Sequence, residues 1–162
     1  MGVEIERKFL VNLKDFKTLQ SLHLPMRPKY ITQGYLSSDP ERTVRIRMID
    51  DEAYITIKGK RIGNSCPEFE YRIPVEDGGE LIKLCSNVLS KTRYHLGRWE
   101  IDVFSKDNTG LIIAEIEMSS EDEKFEIPWW VGKEVSDNDL YFNSSLARRP
   151  WAKWPVNSRN SQ

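Results

Sequence analysis

Like charges two residues apart recur along this chain, inside segments that are otherwise apolar. Glu4 and Glu6 are followed by Lys8, Arg45 by Arg47, Glu68 by Glu70, Lys91 by Arg93, Glu100 by Asp102 and Glu115 by Glu117, while Lys58 stands singly. The alternate positions hold Val3, Ile5, Phe9, Val44, Ile46, Met48, Ile55, Ile57, Phe69, Tyr71, Ile101 and Val103. A period of two is the pattern of a β-strand, whose successive side chains point to opposite faces. Seven such segments carry charge on one face. An ordinary wet sheet face would scatter Ser, Thr, Gln and Lys there; here Glu, Asp, Arg and Lys stand almost alone.

Like charges side by side on a strand repel. Glu115 and Glu117 also follow the apolar run 111–114, a costly place for uncompensated carboxylates. Such pairs need counter-charges. Paired carboxylates are hard oxygen ligands for a divalent cation, and paired guanidinium or ammonium groups match phosphate oxygens. The apolar faces need cover as well. A closed antiparallel barrel with its charged faces inward and helices packed outside meets both demands, and closure removes exposed strand edges. The fold class expected is therefore mainly β, within α+β.

The expected strands span 3–11, 29–37, 43–49, 53–58, 68–73, 91–96, 99–104 and 111–118. A helix over 13–22 is capped by Asn12 with Asp15 three residues on. A second opens on the Asp77-Gly-Gly-Glu80 capping box and runs to about residue 89. A short helix follows Ser120, and a last one covers 136–148, with Ser136 and Asp139 as its cap pair. Residues 1–150 are expected to form one domain and 151–162 a C-terminal tail, whose Trp151 and Trp154 pack on it.

At 162 residues the chain is long enough for one real core. Its 24 basic and 25 acidic side chains leave a net charge of −1, so no bulk field favours nucleic acid or an anionic membrane. Anion binding must come from local arrangement, and a balanced interior suits a metal–polyphosphate complex better than a bare anion. The two cysteines, Cys66 and Cys85, lack metal-ligand spacing and fit a reduced, cytoplasmic protein. No apolar run approaches the roughly 18–20 residues of a membrane span, and the start of the chain is charged rather than signal-like. There is no Walker loop and no glycine-rich dinucleotide turn.

In order, the motifs Glu4-x-Glu6-x-Lys8, Gln33-Gly34-Tyr35-Leu36, Arg45-x-Arg47, Lys58, Glu68-x-Glu70, Lys91-x-Arg93, Asp102-Val103-Phe104, Glu115-x-Glu117 and Tyr141-x-Asn143-x-x-Leu146-Ala147 cover nearly the whole chain. Together they resemble the CYTH superfamily, the triphosphate tunnel metalloenzymes, and most closely its short bacterial inorganic triphosphatase-like members. The resemblance implies an eight-stranded antiparallel tunnel acting on a triphosphate with Mg²⁺ or Mn²⁺. It implies metal binding by Glu4, Glu6, Glu115 and Glu117, joined by Asp102, and phosphate binding by Lys8, Arg45, Arg47, Lys58, Lys91 and Arg93. Two positions depart from the family pattern: Cys66 stands where relatives often carry arginine, and Arg72 where they often carry an acid.

Glu68 and Glu70 either ligate metal or orient the neighbouring arginines. Tyr35 either packs in the core or hydrogen-bonds to Lys8 or a phosphate. His23, His95 and the tryptophans read as structural. The reaction expected is metal-dependent hydrolysis of a phosphoanhydride in tripolyphosphate. Glu4, Glu6, Lys8 and Tyr35 are the catalytic candidates, and Lys8 is expected to have a depressed pKa and assist proton transfer. Rival readings are a nucleoside or thiamine triphosphatase, a class IV adenylate cyclase, and a non-catalytic polyphosphate- or nucleotide-binding module. The expected partner is the small-molecule triphosphate alone, without nucleic acid or membrane, on a monomer or homodimer.

Overall fold

The computed structural model describes residues 2–159. Eight strands, β1 (Gly2–Leu10), β2 (Pro28–Asp39), β3 (Arg42–Ile49), β4 (Glu52–Gly59), β5 (Ser65–Ile73), β6 (Asn87–Leu96), β7 (Trp99–Phe104) and β8 (Ile112–Glu117), close into an antiparallel barrel in the order β1-β5-β4-β3-β2-β6-β7-β8. The register sets which faces align. Lys8 lies opposite Glu115, Glu6 opposite Glu117 and Glu100 opposite Glu115. Arg93 faces Asp102, Tyr35 faces Arg45, Arg45 faces Thr56, Thr56 faces Glu70 and Lys58 faces Glu68. Every charged pair read from the sequence thus falls on one side of the sheet, the inner one.

The outer faces are covered in two places. Helix α1 (Leu13–Ser21) is capped by Asn12, whose side chain accepts from the Asp15 amide at 2.8 Å. Its Phe16 and Leu19 join Phe9, Val11, Trp99, Ile101, Ile112, Ala114, Ile116 and Trp130 in one core. Helix α2 (Val75–Lys83) lies on β2, β3 and β4. Gly78 permits that approach, since a Cβ there would stand 2.5 Å from the Ala53 Cβ.

The interior is not charged throughout. Leu10, Leu89, Phe104 and Ile113 share the inner face by register, and they form a second core with Val135, Tyr141, Leu146, Trp151 and Trp154. The C-terminal segment therefore fills part of the barrel rather than trailing from it. The expected tail packs as far as Trp154, and its residues 160–162 lie outside the described residues.

Three helix expectations are corrected. α2 starts at Val75 after Pro74 and ends at Lys83, with no side-chain cap. Pro74 presets the first turn, and Val88 and Leu89 are instead taken into β6 opposite Gly34 and Gln33. Residues 120–123 form a turn, closed by the Ser119 amide and hydroxyl donating to Glu123. The span 136–148 breaks into a 3₁₀ turn, Asp139–Tyr141, and a short helix α3 (Asn143–Arg148). Ser136 does not cap it, because its hydroxyl accepts from the Lys8 amide at 2.9 Å.

Candidate active site

Strand β1 carries the first half of the site and also creates its opening. It pairs with β5 only through Gly2–Ile5. Further along, its edge is taken by residues 132–136: Leu10 donates to the Lys133 carbonyl, and Val135 to the Lys8 carbonyl, each at 2.8 Å. A cavity of about 540 Å³ opens at this seam. Glu6, Lys8, Tyr35, Arg45, Lys58 and Cys66 line it from the barrel, and the turns around Pro40 and Arg61 together with residues 136–148 form its rim.

The cations inside the barrel are matched to carboxylates. Lys8 Nζ lies 2.5 Å from Glu115 and 3.1 Å from Glu6. Lys58 pairs with Glu4 and lies 3.8 Å from Glu68. Glu70 accepts from Arg47 at 2.7 Å, Arg45 at 3.4 Å and the Thr56 hydroxyl at 2.7 Å. Arg93 grips Asp102 with two 2.7 Å bonds, reaches Glu115 at 3.1 Å and pairs with Glu100. Lys91 completes the group by donating to Asp102, and it also reaches the Asn143 side-chain oxygen at 3.3 Å.

These contacts decide the protonation states. Burial alone would lower the Lys8 pKa, but Glu115 and Glu6 override it and hold the ammonium well above its ordinary range. The expectation of a depressed Lys8 is therefore corrected: its ammonium sits between two carboxylates. The depressed lysine is Lys91, brought down to about 8 by full burial and by Arg93 against the pull of Asp102. Burial would raise Glu6, Glu115 and Asp102, yet the neighbouring Lys8, Lys91 and Arg93 keep all three low. Burial raises the Tyr35 phenol and keeps it protonated, and its hydroxyl accepts from the Gln33 amide at 3.0 Å.

Three of the six expected phosphate-binding residues, Lys8, Arg45 and Lys58, line the cavity together with Glu6 and Tyr35. Arg47, Lys91 and Arg93 do not line it; Arg47 is tied to Glu70, and Lys91 and Arg93 to Asp102. Asp102 is fully buried and both its oxygens are held by cations. Glu68 and Glu70 face Arg45, Arg47 and Lys58. Arg72 is exposed, 3.1 Å from Glu52, and is not among the residues lining the cavity. The Nε atoms of Arg45 and Arg47 are buried without a hydrogen-bond partner. Buried donors left open in this way are what an anion satisfies.

The carboxylates suit a divalent cation in kind. Partial burial and the negative charges of Glu4, Glu100 and Glu6 push the Glu117 carboxyl up, which marks a local excess of hard oxygen donors. Among the described residues, no three acidic, His or Cys side chains stand preassembled to hold a metal. Glu4, Glu6 and Glu115 are instead turned toward Lys58, Lys8 and Arg93.

Reading by strand period missed Gln33, Thr56 and Arg61. Gln33 and Thr56 are fully buried on the inner face, but neutral side chains carry no charge pattern. Arg61 lies on a loop, where no period exists to assign it a direction.

A closed antiparallel barrel with this charged interior is a tunnel built to hold a polyanion. Residues 2–149 match the CYTH domain, and the chain belongs to that family. It is 40% identical over 157 residues to the inorganic triphosphatase of Acetivibrio thermocellus, covering 93% of this chain and 97% of that one. It is 34% identical over 154 residues to the inorganic triphosphatase of Nitrosomonas europaea, covering 89% and 96%. Among solved structures, a crystal structure of an inorganic triphosphatase superposes with a TM-score of 0.60 at 31% identity, covering 91% of this chain and 95% of its own.

Proposed function

We propose that this protein hydrolyses a terminal phosphoanhydride of inorganic triphosphate in the seam cavity. The observation that carries the reading is the set of strand-borne cations, Lys8, Arg45 and Lys58, converging on one cavity beside Glu6, with the buried Arg45 Nε still lacking a partner. Two relatives of nearly equal length named inorganic triphosphatases support the same substrate.

In this reading Lys8, Arg45 and Lys58 contact phosphate oxygens directly and offset charge that grows on them as the bond breaks. Arg47, Lys91 and Arg93, elsewhere on the inner face, add positive potential without touching the substrate. Water adds its oxygen to the terminal phosphorus, the bond to the neighbouring phosphate breaks, and the products are orthophosphate and pyrophosphate. Lys8 stays charged throughout and acts as a fixed electrostatic clamp. Tyr35, protonated, donates its hydroxyl to a phosphate oxygen. Glu4, Glu6, Glu115 and Glu117 are the residues that would hold Mg²⁺ or Mn²⁺. Such a cation supplies charge neutralisation and a lowered pKa for bound water.

Initial rates of phosphate release from tripolyphosphate, ATP and thiamine triphosphate, measured side by side with Mg²⁺ or Mn²⁺, test the proposal. Tripolyphosphate is expected to be preferred at least about tenfold in kcat/KM, a difference of roughly 1.4 kcal/mol in transition-state binding. Preference for either organic triphosphate would replace it as substrate, and binding without release from any of the three would make the protein a binding module.

A further inference from the structure

Arg61 enters the cavity from outside the strand pattern. It sits on the β4–β5 connection, in a tight turn closed by two backbone bonds between Ile62 and Ser65, at 2.8 and 3.1 Å. Gly63 gives the turn its left-handed residue at φ +60°. Within that turn Arg61 Nε donates to the Gly63 carbonyl at 3.0 Å. The guanidinium then lies over the Phe142 ring, 5.0 Å from its centroid, at the rim of the cavity. The turn fixes the side chain at its base, and the ring braces its charged end.

Its ion pairing is loose compared with the rest of the interior. Arg47 and Arg93 hold carboxylates at 2.7 Å. Arg61 reaches Glu6 Oε1 at 3.5 Å and the Glu6 carbonyl at 3.4 Å. Glu6 Oε1 already has the Lys8 ammonium at 3.1 Å. Arg61 is therefore not needed to neutralise Glu6, and its side chain, 21% exposed, lines the cavity. The adjoining wall position is Cys66, buried and uncharged, 3.7 Å from Glu4. At this part of the wall Arg61 on the loop adds a second positive charge to the strand-borne Lys58.

We propose that Arg61 is a triphosphate-contacting residue that sets affinity at the cavity mouth, delivered by the 62–65 turn and braced by Phe142. This rests on the triphosphatase reading and names a residue outside the inward-facing strand set. A guanidinium fork matches two oxygens of one phosphate, and a charge-assisted contact of that kind lost from the mouth weakens binding about tenfold.

The test compares wild type, Arg61→Ala, Arg61→Lys and the double variant Arg61→Ala/Cys66→Arg, with Lys83→Ala as a distant surface control. Steady-state kinetics on tripolyphosphate is paired with calorimetric binding of tripolyphosphate. Arg61→Ala is expected to raise KM and Kd about tenfold while kcat changes less than about threefold, with Arg61→Lys intermediate. The double variant, with the cation moved to the strand, should recover much of the affinity. Unchanged KM and Kd in Arg61→Ala, with an active wild type, would overturn the inference alone. A drop in kcat and melting temperature at unchanged Kd would do the same, marking Arg61 as structural. A wild type that neither binds nor cleaves tripolyphosphate would overturn the triphosphatase reading itself and this inference with it. Should Arg61→Ala fail to fold, Arg61→Lys decides: a KM at least about threefold higher supports the proposal, and an unchanged one refutes it.

Discussion

Lys8 and Lys91 show how two lysines on the inner face of one barrel acquire opposite character. Both are almost fully buried. Lys8 lies between two carboxylates, Glu115 and Glu6, and is held protonated. Lys91 shares Asp102 with Arg93, so burial wins and its pKa falls to about 8. The sign follows directly. A lysine with a folded pKa below its unfolded value of about 10.4 costs stability while charged, and that cost is relieved as pH rises from about 8 toward 10.4. The same deprotonation removes one positive charge from the tunnel wall. Calorimetry from pH 7 to 9.5 should therefore show tripolyphosphate affinity falling through about pH 8 in wild type, with a flatter profile in Lys91→Met. An identical slope in both would assign the titration to another group. Spacing along the strand placed Lys8 and Lys91 on the inner face, but their pKa values depend on cross-strand partners, which spacing does not specify.

At the level of elements, the strands were legible because a period of two with charge on one phase has few other readings. The helices were less so. Asp77 looked like a cap, but Pro74 starts α2 earlier, and β6 claims Val88 and Leu89 through pairing with β2. The final helix breaks because Ser136 is drawn to the Lys8 amide and Asn138 caps a separate 3₁₀ turn. Such contacts between distant segments override local capping signals. The two adjacent glycines of α2 make this testable. A Cβ at Gly79 meets nothing within 4 Å, whereas at Gly78 it meets Ala53 and Met48 at 2.5 and 2.7 Å. Denaturant unfolding should show Gly79→Ala stabilising by about 0.5–1 kcal/mol. Gly78→Ala should destabilise by about 1–2 kcal/mol, because overpacking against the sheet outweighs the better helix propensity. Equal effects would mean that α2 does not rest on β3 and β4 as described.

For the whole molecule, the barrel joins two environments that the alternation alone did not separate. One part of the interior is ionic and opens at the β1–β5 seam. Another is apolar, filled by Tyr141, Leu146, Trp151 and Trp154 against Leu10, Leu89, Phe104 and Ile113. The inner face was legible as a charged surface, but its continuation into Leu10 and Ile113 was not, because an apolar residue at an inward position looks like an irregularity until its partner arrives from the C-terminal segment. That segment serves both parts: its tryptophans close the apolar one, while Phe142, Asn143 and Arg148 border the cavity. We propose that this cavity cleaves a triphosphate with the help of a cation held by its carboxylates. The most direct measurement is the product balance from tripolyphosphate with Mg²⁺ or Mn²⁺, before and after chelation and in Lys8→Met. Equimolar orthophosphate and pyrophosphate are expected, with release abolished by chelation and reduced at least about a hundredfold in Lys8→Met. Full turnover in the chelated enzyme, or in Lys8→Met, would contradict the account.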